Sequence, residues 1–555
     1  MTELFVAVNA KYPHTNLAVR LLCAEAQKAG LPCGFVEHTI NNDAESVITD
    51  VLSRAPRVAA FSCYIWNIRF ILSVSKGLKS ARPEMRILLG GPEVSFDAEE
   101  ILAQNPSIDF VIRGEGEAAH CDFAMFLLGQ KPLTECASLT FRDGEKIVSN
   151  PVRFGPQFEN ADFPYPDLAD LKKRVIYYEA SRGCPFACSF CLSSESGRYR
   201  EKPIDIVKRD MLTFIHADLK IVKLVDRTFN TDKKRAIELL EFIMENSKST
   251  CFHLELAPSL LDDAILDCLA KAKPGIFQLE IGIQSTNPET LAAINRREDF
   301  SAFAPKIRCL VGSHNMHIHV DLIAGLPYEG LAEFKQSFDD VFSLAAHNLQ
   351  LGFLKLLKGA PLRAEAERYG IAYDQNAPYE VLHTPWLSAE DLRLLEEIEY
   401  LLKRFYNGGL FRYTVLLLAK HFNSAFDLFC ELNLAVKTAK MGIKKASEAQ
   451  LTEFLWRFCG EHGAIAAQEM LLFEALNKRR LPKLPEDILS PEHWAFKKRY
   501  FASTDIPLPA QKNLFAAQFS FDALRFFETL KFEETPTVII FDYSNFERGA
   551  VIRRG

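Results

Sequence analysis

Three cysteines share one short stretch of the 555-residue chain: Cys184, Cys188 and Cys191 in SRGCPFACSFCLSS, spaced C-x3-C-x2-C. Thiolates gathered in one loop are metal ligands before anything else. A structural zinc site usually draws its four ligands from two short elements far apart in sequence, and the chain has no second such element. The trio suits a [4Fe-4S] cluster better, with three irons held by cysteine and one left open to another molecule.

The rest of the composition sets the frame. At 48% hydrophobic and 25% charged, a chain of this length needs more than one core, so two to four domains are expected. A net charge of -7 leaves no electrostatic footprint for nucleic acid. No segment reads as a signal peptide or as an apolar run of membrane length, which predicts a soluble cytoplasmic protein with no membrane contact. Thirteen cysteines without a secretory signal are not expected to form a disulfide framework, and the ten outside the trio read as buried small apolar residues.

The elements that must position the cysteines follow from the apolar pattern. Strands are expected at Leu4–Val8, Gly34–His38, Arg57–Cys63, Arg86–Leu89 and Asp109–Ile112, with helices at Leu17–Lys28 and Phe70–Ser80 between them. This alternation predicts a doubly wound parallel sheet over residues 1–135, with ligands at the carboxyl ends of its strands. The loops there are NAKYPHTN, SCYIWN, GGPEVS and RGEGE. Gly90 and Gly91 could admit a ligand close to the backbone, or could simply make a tight strand-to-helix turn. A proline-rich, aperiodic stretch, 136–170, is assigned to a linker.

Alternation then resumes over 171–375. Val175–Ala180 runs as a strand into the cysteine loop. Further strands are expected at Ile221–Val225, Phe252–Leu256, Phe277–Ile283, His317–Ile323 and Leu349–Lys355, giving a partly closed, barrel-like parallel sheet with the cysteines at the end of its first strand. His317 and His319 alternate on a strand, so one of them could face a substrate or both could be core or surface residues. Residues 376–555 read as mostly helical, with a single strand near Thr537–Phe541. The stretch HWAFKKRYF, His493–Phe501, reads as a solvated helix face.

A C-x3-C-x2-C loop with an aromatic residue before its last cysteine, at the end of a strand, resembles the signature of radical S-adenosylmethionine (SAM) enzymes. The resemblance implies that Cys184, Cys188 and Cys191 carry a [4Fe-4S] cluster, that SAM chelates its open iron, and that an electron from an external donor such as flavodoxin or ferredoxin cleaves SAM to a 5'-deoxyadenosyl radical. It implies further that Phe190 lies beside adenine, that Asp226 or Asn230 holds the SAM amino group, that Glu255, Glu280, Gln284 and Ser285 contact SAM at the third and fourth strand ends, and that Gly325 in DLIAGLPYE lets backbone approach adenine.

A doubly wound domain ahead of such a barrel resembles the cobalamin-binding branch of that family. Its usual loop after the first strand carries Asp-x-His-x-x-Gly; here Asn9, Lys11 and His14 stand at those positions, so the cobalt-ligating histidine is replaced by lysine. The serine and Gly-Gly positions match at Ser62 and Gly90–Gly91, with Glu93 beside them as a further cofactor contact. His14 could be a cobalt ligand or could cap the following helix. The whole chain is similar to the branch that opens on NAKY-x-H and ends in a helical domain of unknown role. The implied function is methylation of an unactivated centre of an unknown substrate. Rival readings are a non-methylating cyclisation or rearrangement and a cofactor-binding sensor or scaffold. A methylthiotransferase would need clustered N-terminal cysteines, which Cys23, Cys33, Cys63 and Cys121 do not supply. The oligomeric state is not legible.

Overall fold

A computed structural model describes residues 1–153, 158–159, 161–194, 199–478, 484–544 and 550–555. Five parallel strands, β1 (Glu3–Asn9), β2 (Cys33–Thr39), β3 (Val58–Ser62), β4 (Arg86–Gly90) and β5 (Phe110–Ile112), pair in the order β2-β1-β3-β4-β5. β1 and β3 are buried at every position, as strands covered on both faces must be. Phe5 and Ala7 join one apolar cluster, Val6 and Val8 the other. The helix Leu17–Lys28 starts where Asn16 accepts a hydrogen bond from Val19 N, an N-cap that ends the loop after β1.

The expected linker begins too early. β6 (Leu139–Asp143) and β7 (Lys146–Ser149) form an antiparallel hairpin on β5, turning at Gly144 with φ 62°. Its apolar residues Leu139 and Phe141 are buried in the same core as Phe110, so this stretch belongs to the first sheet. Residues 154–157 and 160 of that linker lie outside the described residues.

The second sheet has six parallel strands in sequential order: β8 (Val175–Tyr178), β9 (Ile221–Leu224), β10 (Cys251–Leu256), β11 (Phe277–Gln284), β12 (His317–Ala324) and β13 (Asn348–Phe353). Outward residues such as Phe277, Leu279 and Ile281 are fully buried under helices, while the inward Gln278, Glu280 and Gly282 keep partial exposure. The barrel-like interior is therefore a polar lumen and not a packed core.

An unclosed sheet has two edges, and both are covered. On β8, Val175 N donates to Pro13 O at 2.7 Å and Thr15 N to Val175 O at 3.2 Å, so NAKYPHT lies along that edge. On β13, Asn407 accepts from Leu349 N and donates to Leu349 O, both at 2.9 Å. The C-terminal helices share one core with the barrel: Phe338 and Phe342 from the helix before β13 pack on Phe429 of the helix Ala425–Thr438.

Two further expectations are corrected. The C-terminal region ends in a three-stranded antiparallel sheet, β14 (Leu514–Phe519), β15 (Thr537–Asp542) and β16 (Val551–Arg554), where one strand was expected; LFAAQF is too short and too alanine-rich for its pattern to separate strand from helix. Cys309 is exposed, and Cys33, Cys121, Cys251 and Cys430 are only partly buried. Among the described residues no helix is long and apolar enough to cross a membrane. Asn407→Ala strips Leu349 of both partners and is expected to lower stability by about 2 kcal/mol, read from the urea midpoint at unchanged slope.

Candidate functional site

The cysteine loop begins where β8 ends, and its root is tied down on both sides. Asp226, just past β9, accepts from Ala180 N at 2.9 Å and Ser181 Oγ at 2.6 Å. Burial pushes the Asp226 carboxyl up to about 7 against the pull of those two hydrogen bonds. Ser181 and Arg182 then pair antiparallel with Glu201 and Arg200, closing the loop at its base. Arg182 reaches into the first domain, donating to Glu117 at 2.6 and 3.1 Å and to Glu179 at 2.7 Å, with its guanidinium 4.4 Å from the Phe158 ring. Arg200 pairs with Glu115. The RGEGE loop after β5 thus grips the two residues that bracket the cysteines.

Inside the loop, Cys191 N donates to Cys188 O, Ser189 N to Ile294 O, and Asn295 Nδ2 to Ala187 O. Each thiol has a polar neighbour: Thr228 Oγ1 lies 3.5 Å from Cys184 Sγ, Arg296 Nη1 lies 4.0 Å from Cys188 Sγ, and Ser193 N donates to Cys191 Sγ at 3.4 Å. Burial raises the Cys188 thiol, and the Arg296 cation opposes that rise. Among the described residues no group of three or more His, Cys, Asp or Glu converges on a single-ion site; the thiols are spaced along the loop. Part of the loop, 195–198, lies outside the described residues.

The other expected SAM contacts divide into two sets. Phe190 is half-buried against the main core. Asn230 is buried and fully engaged, bonded through both side-chain atoms to Ala257 backbone at 2.9 and 3.0 Å. Ser285 is buried and donates to Glu329. Gly325 sits at φ 90° with Val381 where a Cβ would go, 2.8 Å away. These positions shape the walls. Glu255 and Glu280 face the lumen, where Lys223 lies 3.4 and 2.9 Å from them, and Glu280 also takes His253 Nε2 at 2.8 Å. Burial raises the Glu280 carboxyl, but the His253 hydrogen bond and Lys223 outweigh it and hold it at about 2. Gln284 follows a bulge in β11 at φ 72° and fills the space beside Gly282.

In the first domain, Asn9 and Ser62 are buried and meet through Asn16 Nδ2, 3.2 Å from Asn9 Oδ1 and Ser62 Oγ alike. His14 turns to the barrel, its Nδ1 2.7 Å from Tyr177 Oη. Lys11 is exposed. A Cβ on Gly90 would make only an ordinary contact, 3.8 Å from Ile112 O, whereas a Cβ on Gly91, at φ 111°, would lie 2.5 Å from Cys63 O. Glu93 is buried and takes the Tyr379 hydroxyl and, at 3.4 Å, Lys358, so it joins the domains. Tyr64 stacks on Trp66 at 4.4 Å between centroids, and Tyr12, Trp66 and Phe96 stand exposed on three strand-end loops.

Sequence reasoning missed Arg182, Glu117, Arg296, Lys223, Tyr177 and Lys358. Arg182 lies two residues before the first cysteine, and inward alternation on the strands points to Tyr177 and Lys223; Arg296 and Lys358 carry no local signal. The donor set fits the groups the motifs imply. Three thiols with an adjacent cation and hydrogen-bond donors suit thiolate ligation. The strand-end loops of the first domain offer three exposed aromatic rings, Tyr12, Trp66 and Phe96, to a large planar ligand.

Two outcomes test this geometry. Arg182→Ala leaves Glu117 and Glu179 uncompensated, and is expected to cost about 3 kcal/mol in a thermal or urea melt and to lower iron content after reconstitution. Glu280 has a folded pKa of about 2 against 4.5 unfolded, so its contribution is complete above 4.5 and lost as pH falls through 2. Glu280→Gln is expected to destabilise by about 1 kcal/mol at pH 7, with the gap to wild type narrowing below pH 4.5.

Comparison with known proteins accords with this construction. Residues 3–124 match the B12 binding domain, 178–341 the radical SAM superfamily, and 367–541 a protein family of unknown function, DUF4080. The chain is 25% identical over 338 residues to the cobalamin-dependent radical SAM methyltransferase TokK of Streptomyces tokunonensis, covering 57% of this chain and 50% of that protein. It is 26% identical over 296 residues to the hopanoid C-3 methylase of Methylococcus capsulatus, covering 51% and 55%. It thus spans about half the length of these curated relatives. The cobalamin-dependent radical enzyme OxsB, solved with aqua-cobalamin and SAM, superposes with a TM-score of 0.60 at 14% identity over 92% of this chain and 77% of that one, and TsrM of Kitasatospora setae with 0.58 at 15% over 67% and 78%. The radical SAM domain implies a [4Fe-4S] cluster and SAM, and the B12-binding domain implies cobalamin. The chain belongs to the cobalamin-binding radical SAM proteins, in the branch with a DUF4080 C-terminal domain.

Proposed function

We propose that the chain methylates an unactivated centre of a small molecule held in the barrel lumen. The observation that carries this reading is the grip of the first domain on the cysteine loop: Glu117 and Glu115 hold Arg182 and Arg200, so the RGEGE segment after β5 lies against the base of that loop. When bound, the cluster and SAM supply a radical that abstracts hydrogen, and the corrinoid supplies the methyl group.

The chain's own residues prepare that chemistry. Cys184, Cys188 and Cys191 are the cluster ligands, and Arg296 beside Cys188 favours thiolate over thiol. Asp226 acts as a positioning residue, fixing Ala180 and Ser181 and through them the height of the loop above the lumen. Glu93, Lys358 and Tyr379 hold the GGPE loop against the segment after β13, which keeps water from one side of the cavity. An external one-electron donor of the flavodoxin or ferredoxin kind completes the system. Our reading also takes the enzyme to be soluble and cytoplasmic.

Protein reconstituted without oxygen, with iron, sulfide, cobalamin and a chemical reductant, is expected to hold near four irons and to convert SAM to 5'-deoxyadenosine together with S-adenosylhomocysteine once substrate is present. 5'-Deoxyadenosine without S-adenosylhomocysteine under substrate turnover would show a non-methylating radical enzyme. Replacing Cys184, Cys188 and Cys191 with alanine is expected to abolish both products; retained cleavage would overturn the assignment of the site.

A further inference from the structure

The lumen beneath the cysteine loop carries more negative than positive charge. Glu255 and Glu280 share the single ammonium of Lys223, and a third carboxylate, Asp321, follows one inward position further along β12. Asp321 lies in register with Gly282 of β11, where the Gln284 amide fills the space a side chain would take, and with Gln350 of β13. Its Oδ1 is buried and has no hydrogen-bond partner. A buried carboxylate oxygen left without a donor is costly, and in native structures such an atom calls for an explanation.

The surrounding groups do not supply the missing cation. Burial first, then Glu280 and Glu255, raise the Asp321 carboxyl well above its ordinary range, and Lys223 alone draws it down. His319, on the same face of β12, is held down to about 4 by burial and by His317 and His253, so it is neutral at pH 7; its Nε2 already meets Gln278 at 2.6 Å. The position is close to the reacting end of the lumen. Arg296 donates to Gly282 O at 2.8 Å while its other nitrogen lies 4.0 Å from Cys188 Sγ, so the Gly282–Asp321 level hangs directly from the cysteine loop.

We propose that the substrate carries an organic ammonium group, and that Asp321 receives it, with Glu280 and Glu255 deepening the negative field. The proposal rests on the reading of the barrel as a radical SAM active site. An ammonium there supplies the donor that Oδ1 lacks and balances the excess negative charge. Its attachment beside Gly282 places the carbon chain next to the cysteine loop, where hydrogen abstraction takes place. The carboxylates could instead serve the amino group of SAM itself, and the test separates the two.

The probes are hexylammonium, 1-hexanol and hexanoate, with affinities for the reconstituted enzyme measured by ligand-observed NMR in the absence and presence of saturating SAM. Hexylammonium is expected to bind at least about tenfold more tightly than either analogue, with SAM present, and Asp321→Asn is expected to reduce it to the level of 1-hexanol. The proposal is overturned if hexanoate binds as well as hexylammonium, if Asp321→Asn leaves hexylammonium unchanged, or if SAM displaces it, which would assign the carboxylates to SAM. Should Asp321→Asn fail to fold, the wild-type panel with and without SAM decides alone. SAM cleavage is followed on the same samples. Cleavage without ammonium preference sinks this inference and leaves the functional reading intact; ammonium preference without cleavage does the reverse.

Discussion

Six parallel strands that do not close leave two rows of unpaired backbone groups, and the architecture of the chain is organised around covering them. The loop after β1 lies along β8, and Asn407 caps β13 at Leu349. The flanking domains are therefore parts of the barrel wall. This also accounts for the NAKYPHTN loop. Pro13, His14 and Thr15 are spent on the β8 edge and on Tyr177, a structural task that a helix-capping or cobalt-ligating role alone would not require.

The same economy places the cysteines. Their loop has few regular hydrogen bonds of its own, so its position depends on what holds its root: Asp226 from the neighbouring strand and the Glu117–Arg182 pair from the first domain. Arg182 also lies over Phe158, in a site where water is largely excluded, which makes the pair stronger than a surface ion pair and its one-sided loss costlier. Domain docking and the position of the cysteine loop are coupled through one guanidinium.

A barrel interior is ordinarily filled by layers of apolar side chains. Here the inward positions of β9 to β12 include Lys223, His253, Glu255, Gln278, Glu280, His319 and Asp321, and these retain partial exposure or close polar contacts. Polar groups in that number destabilise a core that encloses nothing, and their retention is consistent with a cavity built to hold a polar molecule.

How much was legible in advance follows from the range of the interactions involved. Strand and helix order in the first two domains reads directly from apolar periodicity, and the cluster loop reads from three cysteines within eight residues of one another, because both signals are local. The hairpin β6–β7 and the strand β14 escaped, since prolines mask one and alanines the other, and only pairing with a neighbour defines them. Among site residues, Asn230 and Ser285 read as ligand contacts from their types and strand-end positions; that they also bond to Ala257 and Glu329 emerges only from tertiary packing. Residue type and spacing alone determined that this protein has a three-cysteine loop at the end of a strand, between a doubly wound domain and helices. Which side chains point at that loop, which are consumed in holding it, and which carboxylate is left without a partner were decided only when strands distant in sequence came into register, because those facts are distances between residues that no local pattern encodes.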